Sequence, residues 1–408
     1  MTSESNYFGE WGDVPPDADV QPFSMNNPVR GGGDRTNRKH HFVSVTYMDG
    51  FADKTGRVQV YRSEDPQNPH PTQPTATGYQ KQYYSQPLPD GGVEHNRFED
   101  LFNTIETAWP ATVRALEERR LSPAISFTVQ GMQTIMRVRV PAARDRMAMM
   151  LEAKLRSECK ALEQIGKLPP ELERYAGQFD TVPVGVNPHE TLHSMRQQFK
   201  EFGDLCFRLG FEILHNRTGI PFLTSDNPVC IYDPRLPPAD RRPYDHSGEV
   251  ELLFPITSRM IVRGSSKRRP VNVISRHGDI TDRRIVKRMN ETIAQFAYRM
   301  TIAHDRSCDD IVRRHASLVP TIRTEVRRVG DEIQIHVHEM FGTRPKLSQY
   351  IDTPEKAARL EEWMAADAAA DGRDLERSTH RDDRKRSADT PAPAAATLPS
   401  TGSAPDSP

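Results

Sequence analysis

Five places in this chain carry side chains that could do chemistry: His40-His41, the pair Glu99 and Glu106, the run from Arg139 to Arg144, the run Thr224-Ser225-Asp226-Asn227-Pro228, and Asn290. His41, Glu106 and Asp226 are of types that ligate a divalent cation such as Mg or Mn, or that move protons as general acid and base. Arg139 and Arg144 can grip a phosphate or carboxylate through paired hydrogen bonds, and the amides of Asn227 and Asn290 can orient a substrate. Collected in one place, this set would make a metal-dependent phosphodiesterase or nuclease. Each residue also has a structural reading. A lone histidine orders a chain edge, Glu106 pairs with an arginine of the following helix, an Asx run before proline makes a turn, and an internal asparagine ties a helix to a loop.

The net charge of −1 conceals asymmetry. Arg263, Lys267, Arg268, Arg269, Arg276, Arg283, Arg284, Lys287 and Arg288 face only Asp279 and Asp282 within the same stretch. Such clustering is the footprint of a phosphate-rich partner, which makes nucleic acid the expected ligand of segment 263–288. A non-catalytic nucleic-acid-binding or regulatory module with a buried polar network therefore stands beside the enzyme reading. No P-loop, dinucleotide-binding glycine fingerprint, GxSxG or CxxC occurs, so the usual signals of those enzyme classes are missing.

The elements that must position these groups can be read from periodicity. Phe98, Leu101, Phe102, Ile105, Ala108 and Trp109 line one helical face, putting Glu99 and Glu106 on a common side, and Pro110 marks a boundary. Ser122-Pro123 opens a new helix, helical pattern resumes over Met147 to Ala161, and a further amphipathic helix covers Thr191 to about Leu209. Strands are expected at Arg57 to Tyr61, Tyr79 to Tyr84, Phe211 to Leu214, Phe222 to Thr224, Val229 to Tyr232, Val250 to Phe254, Met260 to Arg263 and Val271 to Ile274. Pro66 to Pro74 reads as a connector. Asp282 caps a helix expected to reach Ala303, a short helix follows over Asp309 to His315, and Thr321 to Val337 reads as a hairpin turning at Gly330-Asp331. The class is α+β, a mixed or antiparallel sheet covered by a helical layer.

The blocks His41 to Phe51, Phe98 to Glu106, Arg139 to Arg144, Thr224 to Pro228 and Met289-Asn290, in that order, resemble a large bacterial family known as domain-of-unknown-function family 4238, over roughly residues 38–305. The resemblance implies a fold outline without a reaction. Two positions depart from the family pattern: Ser44 stands where proline is usual, and Met136 where glutamine is common.

Around this unit, placed at 37–340, residues 1–36 read as a flexible acidic arm and 341–408 as a linker and disordered tail, because neither end carries a periodic apolar face. Limited proteolysis should trim the chain to about Arg38–Val337; a resistant fragment containing residues 380–400 would overturn that boundary. The four cysteines, Cys159, Cys206, Cys230 and Cys308, form no metal or disulfide spacing. With an acidic N-terminus and no apolar run of membrane-spanning length, a cytoplasmic location and no membrane partner are expected.

Overall fold

The structure is a computed structural model and describes residues 39–343, except 88–92, 95–96, 183, 187–190, 192–193, 237–247, 271–272 and 330–331, together with Ala358 and Glu362. The expected arm at 1–36 lies outside the described residues, as does the expected tail at 341–408 apart from residues 341–343, which belong to a strand, and Ala358 and Glu362. By its internal contacts the chain divides into Met1–Tyr350 and Ile351–Pro408; everything below concerns the first unit.

Two sheets organise it. The larger has five strands in the order β12-β7-β11-β10-β9, where β7 is Gly210–Asn216, β9 Cys230–Tyr232, β10 Glu251–Thr257, β11 Met260–Ser265 and β12 Ile274–Ile280. β12 runs parallel to β7 and the other pairs are antiparallel, so the sheet is mixed. The second is wholly antiparallel, ordered β3-β2-β13-β8, with β2 at Val58–Arg62, β3 at Asp65–Thr72, β8 at Thr224–Ser225 and β13 at Met300–Ala303. Shorter pairings join β1 (Lys39–His41) to β4 (Tyr79–Lys81) and β5 (Gln86–Pro87) to β6 (Val93–Glu94).

The near-continuous apolar runs of β7, β10 and β11 have a simple cause: both faces of the large sheet are covered. Phe211, Ile213, Leu252, Phe254, Ile256, Met260 and Val262 point into a core shared with Tyr47, Phe102, Trp109, Met132 and Phe202. Their alternating neighbours Leu214, Leu253 and Ile261 pack on the other side against Val286, Ile293 and Phe296. The first core is roofed by α2 (Arg97–Glu106), α3 (Trp109–Glu117), α4 (Pro123–Val138) and α7 (Met195–Cys206). Before these in the chain lies α1 (Val45–Met48), and between α4 and α7 lie α5 (Pro141–Gln164) and the single turn α6 (Pro170–Glu173). The second core is closed by α8 (Arg283–Phe296) and α9 (Asp309–His315). The α+β reading with a mixed sheet thus holds, with helices on two sides rather than one.

Local chemistry sets the boundaries. The Ser122 Oγ accepts from Ile125 N at 3.2 Å and Pro123 takes the first position of α4, while Asp282 accepts from Arg284 N at 2.8 Å to start α8. α2 and α3 break just before Trp109, with Pro110 inside the first turn of α3. The strand expected to end at Ile274 runs instead over Ile274–Ile280, paired parallel to β7, and three further expectations need correction. Pro66 to Pro74 is not merely a connector: Asp65–Thr72 forms β3, and its prolines are tolerated because β3 is an edge strand that needs donors on one side only. α8 stops at Phe296, and Met300–Ala303 leaves the helical pattern to fill the centre of the small sheet between β2 and β8. α5 runs from Pro141, which takes its first position, to Gln164, beyond its periodic stretch at both ends. The hairpin is confirmed as β14 (Leu318–Val329) and β15 (Glu332–Thr343), paired Val329 to Glu332 across the two residues of the expected turn.

One contact in the large sheet sets a pH response. His215 and His277, on adjacent strands β7 and β12, meet with Nε2 and Nδ1 at 2.8 Å. Burial, then Arg119, the partner imidazole and Arg217, push His215 down to about 4, and burial with Arg119 lowers His277. Both folded values lie below the unfolded one, so the neutral pair contributes fully above about pH 6.5 and that contribution is lost as pH falls toward 4. We expect His215→Phe/His277→Leu to flatten the melting temperature between pH 6.5 and 4.5; a mutant that loses stability in that window as steeply as wild type would show that the pair is not responsible.

Candidate functional site

The sequence candidates separate into two groups. Arg139, at the C-cap of α4, is the centre of the first and is only 2% exposed. Its Nη1 donates to Glu106 Oε1 at 2.5 Å, its Nε donates to the Phe42 carbonyl at 3.1 Å, and its guanidinium lies 5.1 Å from the Phe102 ring centre. The Arg139 carbonyl accepts from the Tyr84 hydroxyl at 3.2 Å. Burial alone would lower the guanidinium's pKa, but Glu106, and after it Tyr84 and Glu99, raise it above the usual arginine value. Glu106 is thus paired with an arginine, but not one of the following helix α3: the partner, Arg139, stands at the end of α4.

Two titratable groups flank this pair. Glu99, two turns before Glu106 on α2, has a buried Oε1 with no hydrogen-bond partner among the described residues. Burial pushes its carboxyl up to about 7, with Arg139 pulling it down and Glu106 and Asp100 adding to the rise. His41 closes β1, its Nε2 3.4 Å from the Thr75 carbonyl and its ring 5.4 Å from that of Tyr79. Burial lowers its pKa; the Thr75 carbonyl and Glu106 raise it and Arg139 lowers it, the net being a fall, so the imidazole is neutral at pH 7. A carboxyl held near its protonated form, a neutral imidazole and a buried guanidinium form a set able to give and take protons beside an anion.

The remaining candidates are elsewhere. Asp226 is fully buried and its two oxygens accept from the Tyr298 and Arg299 backbone N–H groups, each at 2.8 Å, while its own N–H donates to Met300. Burial raises its carboxyl against the lowering pull of those donors. It fastens the turn after β8 to the chain entering β13. The expected metal site of His41, Glu106 and Asp226 is therefore not assembled, and among the described residues no three His, Cys, Asp or Glu side chains stand together as a cation site. Asn290 accepts from Leu223 N at 3.0 Å and donates to the Pro221 carbonyl at 2.9 Å, which is a helix-to-loop tether. Arg144 donates to the Tyr83 carbonyl at 2.7 Å and the Thr191 hydroxyl at 3.2 Å, with its guanidinium over the Tyr83 ring. Asn227 Nδ2 donates to the Phe296 carbonyl at 3.0 Å, but its buried Oδ1 has no partner among the described residues.

His40, named beside His41 but given no role of its own from the sequence, is 1% exposed, accepts from Tyr84 N at 2.8 Å through Nδ1 and stacks on the Tyr84 ring. Its signal was the doubled histidine: on a strand, successive side chains face opposite ways, so one of two neighbours had to point inward. The basic segment is also narrower than its composition suggests. Arg263, Arg268 and Arg276 converge on Glu212, which is 1% exposed, while Lys267 pairs with Glu249 and Arg284 with Asp282. Arg269, Arg283, Lys287 and Arg288 stay exposed.

The blocks nonetheless interlock. The Tyr47 hydroxyl, buried and stacked on Phe254, bridges Thr224 Oγ1 at 2.6 Å and the Pro255 carbonyl at 2.8 Å, which fixes the His41–Phe51 block to the Thr224–Pro228 block. Among the described residues no helix is long and apolar enough to cross a membrane. No curated protein and no solved structure matches the chain. The profile of one family, described as "Protein of unknown function (DUF4238)", matches residues 39–307, the segment that holds every one of these blocks, and the chain belongs to that family.

Proposed function

We propose that Glu99, Glu106, Arg139 and His41 form an acid–base site acting on an anionic ester, with a phosphodiester as the first substrate class to test. The observation that carries this reading is the Glu99 carboxyl, held up to about 7 with a buried oxygen that no described residue satisfies. Burying such a group without a partner costs stability, and at functional sites that cost is commonly retained for the chemistry. In this reading Glu99 delivers a proton to the leaving oxygen, neutral His41 accepts one from the attacking nucleophile, and Arg139, tied to Glu106, keeps the site attractive to an anion. The three-donor metal centre is not part of it, because Asp226 is committed to backbone N–H groups.

The test is hydrolysis of an activated phosphodiester by the whole protein across pH. Glu99→Gln should lower kcat by about 100-fold or more and remove the alkaline limb of the pH profile near 7. Wild-type turnover that Glu99→Gln leaves unchanged would sink the assignment. There is also a stability readout. The folded Glu99 value lies above the unfolded one, so its contribution is full below about pH 4.5 and is lost as pH rises through 7, and Glu99→Gln should melt higher than wild type at pH 8.

A non-catalytic nucleic-acid module is supported by a different observation, the exposed Arg283, Lys287 and Arg288 on the outer face of α8. Reversing these three to glutamate should abolish a gel shift with DNA or RNA whose affinity falls steeply with salt; no wild-type shift at low salt would end this reading.

A further inference from the structure

A second polar site lies where α4 and α5 meet the turn after β8, sharing no side chain with the Glu99 cluster. Arg137, in the last turn of α4, is half-buried and has no hydrogen bond or ion pair to any described residue, and partial burial with the neighbouring Arg146 pushes its guanidinium down to about 9. It lines a cavity with Arg146, Asn227, Tyr298, Thr321 and Glu339. A buried amide oxygen without a donor is costly, and the cavity holds one, the unfilled Oδ1 of Asn227, beside the unpaired and half-buried guanidinium of Arg137. Gln133, one turn before Arg137 on α4, is fully buried with both amide atoms unanswered among the described residues.

The one carboxylate in the cavity comes from outside the family segment. Glu339 belongs to β15, beyond the residues 39–307 that match the family, and its Oε1 accepts from Arg146 Nη1 at 3.1 Å. Arg146 also reaches Gln198 Oε1 at 3.5 Å. Two guanidiniums and one carboxylate leave the cavity with net positive charge. The free space of about 20 Å³ admits only a water-sized group, so Glu339 occupies the room that a larger anion would need.

We propose that Arg137, Arg146 and Asn227 form a binding site for a singly protonated phosphate group, and that Glu339 stands in for this ligand when it is absent. The two guanidiniums supply donors to the phosphate oxygens. The phosphate's own O–H supplies the donor that Asn227 Oδ1 lacks, which distinguishes hydrogen phosphate from sulfate, a tetrahedral dianion with no proton to give at neutral pH. The ligand is inorganic phosphate, or the terminal phosphate of a monoester in its singly protonated form, which is the major species below a pKa of about 6.

Calorimetric titration of the full chain with inorganic phosphate, phenyl phosphate and sulfate tests this. Glu339→Gln, which keeps the shape and removes the charge, should bind inorganic phosphate at least about tenfold more tightly than wild type and more tightly than sulfate, and Arg137→Met/Glu339→Gln should lose that binding. Tighter binding of phenyl phosphate than of inorganic phosphate assigns the site to monoesters, and the reverse order assigns it to the free ion. Absence of phosphate binding in Glu339→Gln, equal binding by the double variant, or equal affinity for sulfate would each overturn the proposal. Should Glu339→Gln fail to fold, the wild-type melting temperature in phosphate and in sulfate decides. A rise specific to phosphate and absent in Arg137→Met supports the site, and no rise, or the same rise in Arg137→Met, refutes it.

Discussion

Asp226→Ala is expected to lower the unfolding free energy by about 3–5 kcal/mol, among the largest effects of any single substitution in this chain. The carboxylate is fully buried and holds two backbone N–H groups, those of Tyr298 and Arg299, at 2.8 Å each. Truncation leaves both donors buried without an acceptor, and a charge-assisted bond of this kind contributes about 1.5–3 kcal/mol. The effect reaches beyond the turn, because the same segment delivers β13 to its place between β2 and β8. Asp226→Asn retains one acceptor and should cost about half as much. Urea denaturation of the three proteins gives the comparison. A loss below about 1 kcal/mol for the alanine variant would mean that the tether is not what holds the small sheet together.

Removing the charge at Arg139 should be nearly as damaging. Arg139→Met is expected to destabilise the fold by about 3–5 kcal/mol, since it strands Glu106 beside the already raised carboxyl of Glu99 and deprives the Phe42 carbonyl of its donor. The cause can be separated from lost packing. Glu106→Gln in the Arg139→Met background should recover part of the loss, giving a coupling of about 1–3 kcal/mol between the two sites. Additive losses in that double-mutant cycle would show that Arg139 matters through its bulk against Phe102 rather than through its ion pair. Because Arg139 pulls the Glu99 carboxyl down, the same variant should move Glu99 titration to higher pH, visible as a displaced alkaline limb in the melting profile.

Helix starts were legible because they depend on a few adjacent residues: Ser122-Pro123 and Asp282 cap where their side chains predict. The pairing of Val329 with Glu332 was legible for the same reason. The end of α8 was not, since Met300–Ala303 is compatible with either state and only pairing with β2 and β8 selects the strand. The edge position that lets β3 carry three prolines is likewise a property of the sheet rather than of the segment.

For the site, the residue types were visible and their partners were not. The Glu106–Arg139 pairing was open to a local argument, because a carboxylate on the inner face of one helix needs a cation from a neighbour. Whether Asp226 would join them depended on how the turn after β8 packs, and there the backbone of Tyr298 and Arg299 claimed both oxygens. Composition alone made segment 263–288 look uniformly basic, whereas cross-strand register set Arg263 directly opposite Glu212 and drew Arg268 and Arg276 to the same carboxylate. By itself, then, the sequence determined the α+β class, most of the element starts and the set of polar side chains that must be accommodated. The tertiary structure decided which of those side chains are consumed by backbone groups and which are left facing one another, because hydrogen-bond partners far apart in sequence are chosen only when the sheets and helices close on each other.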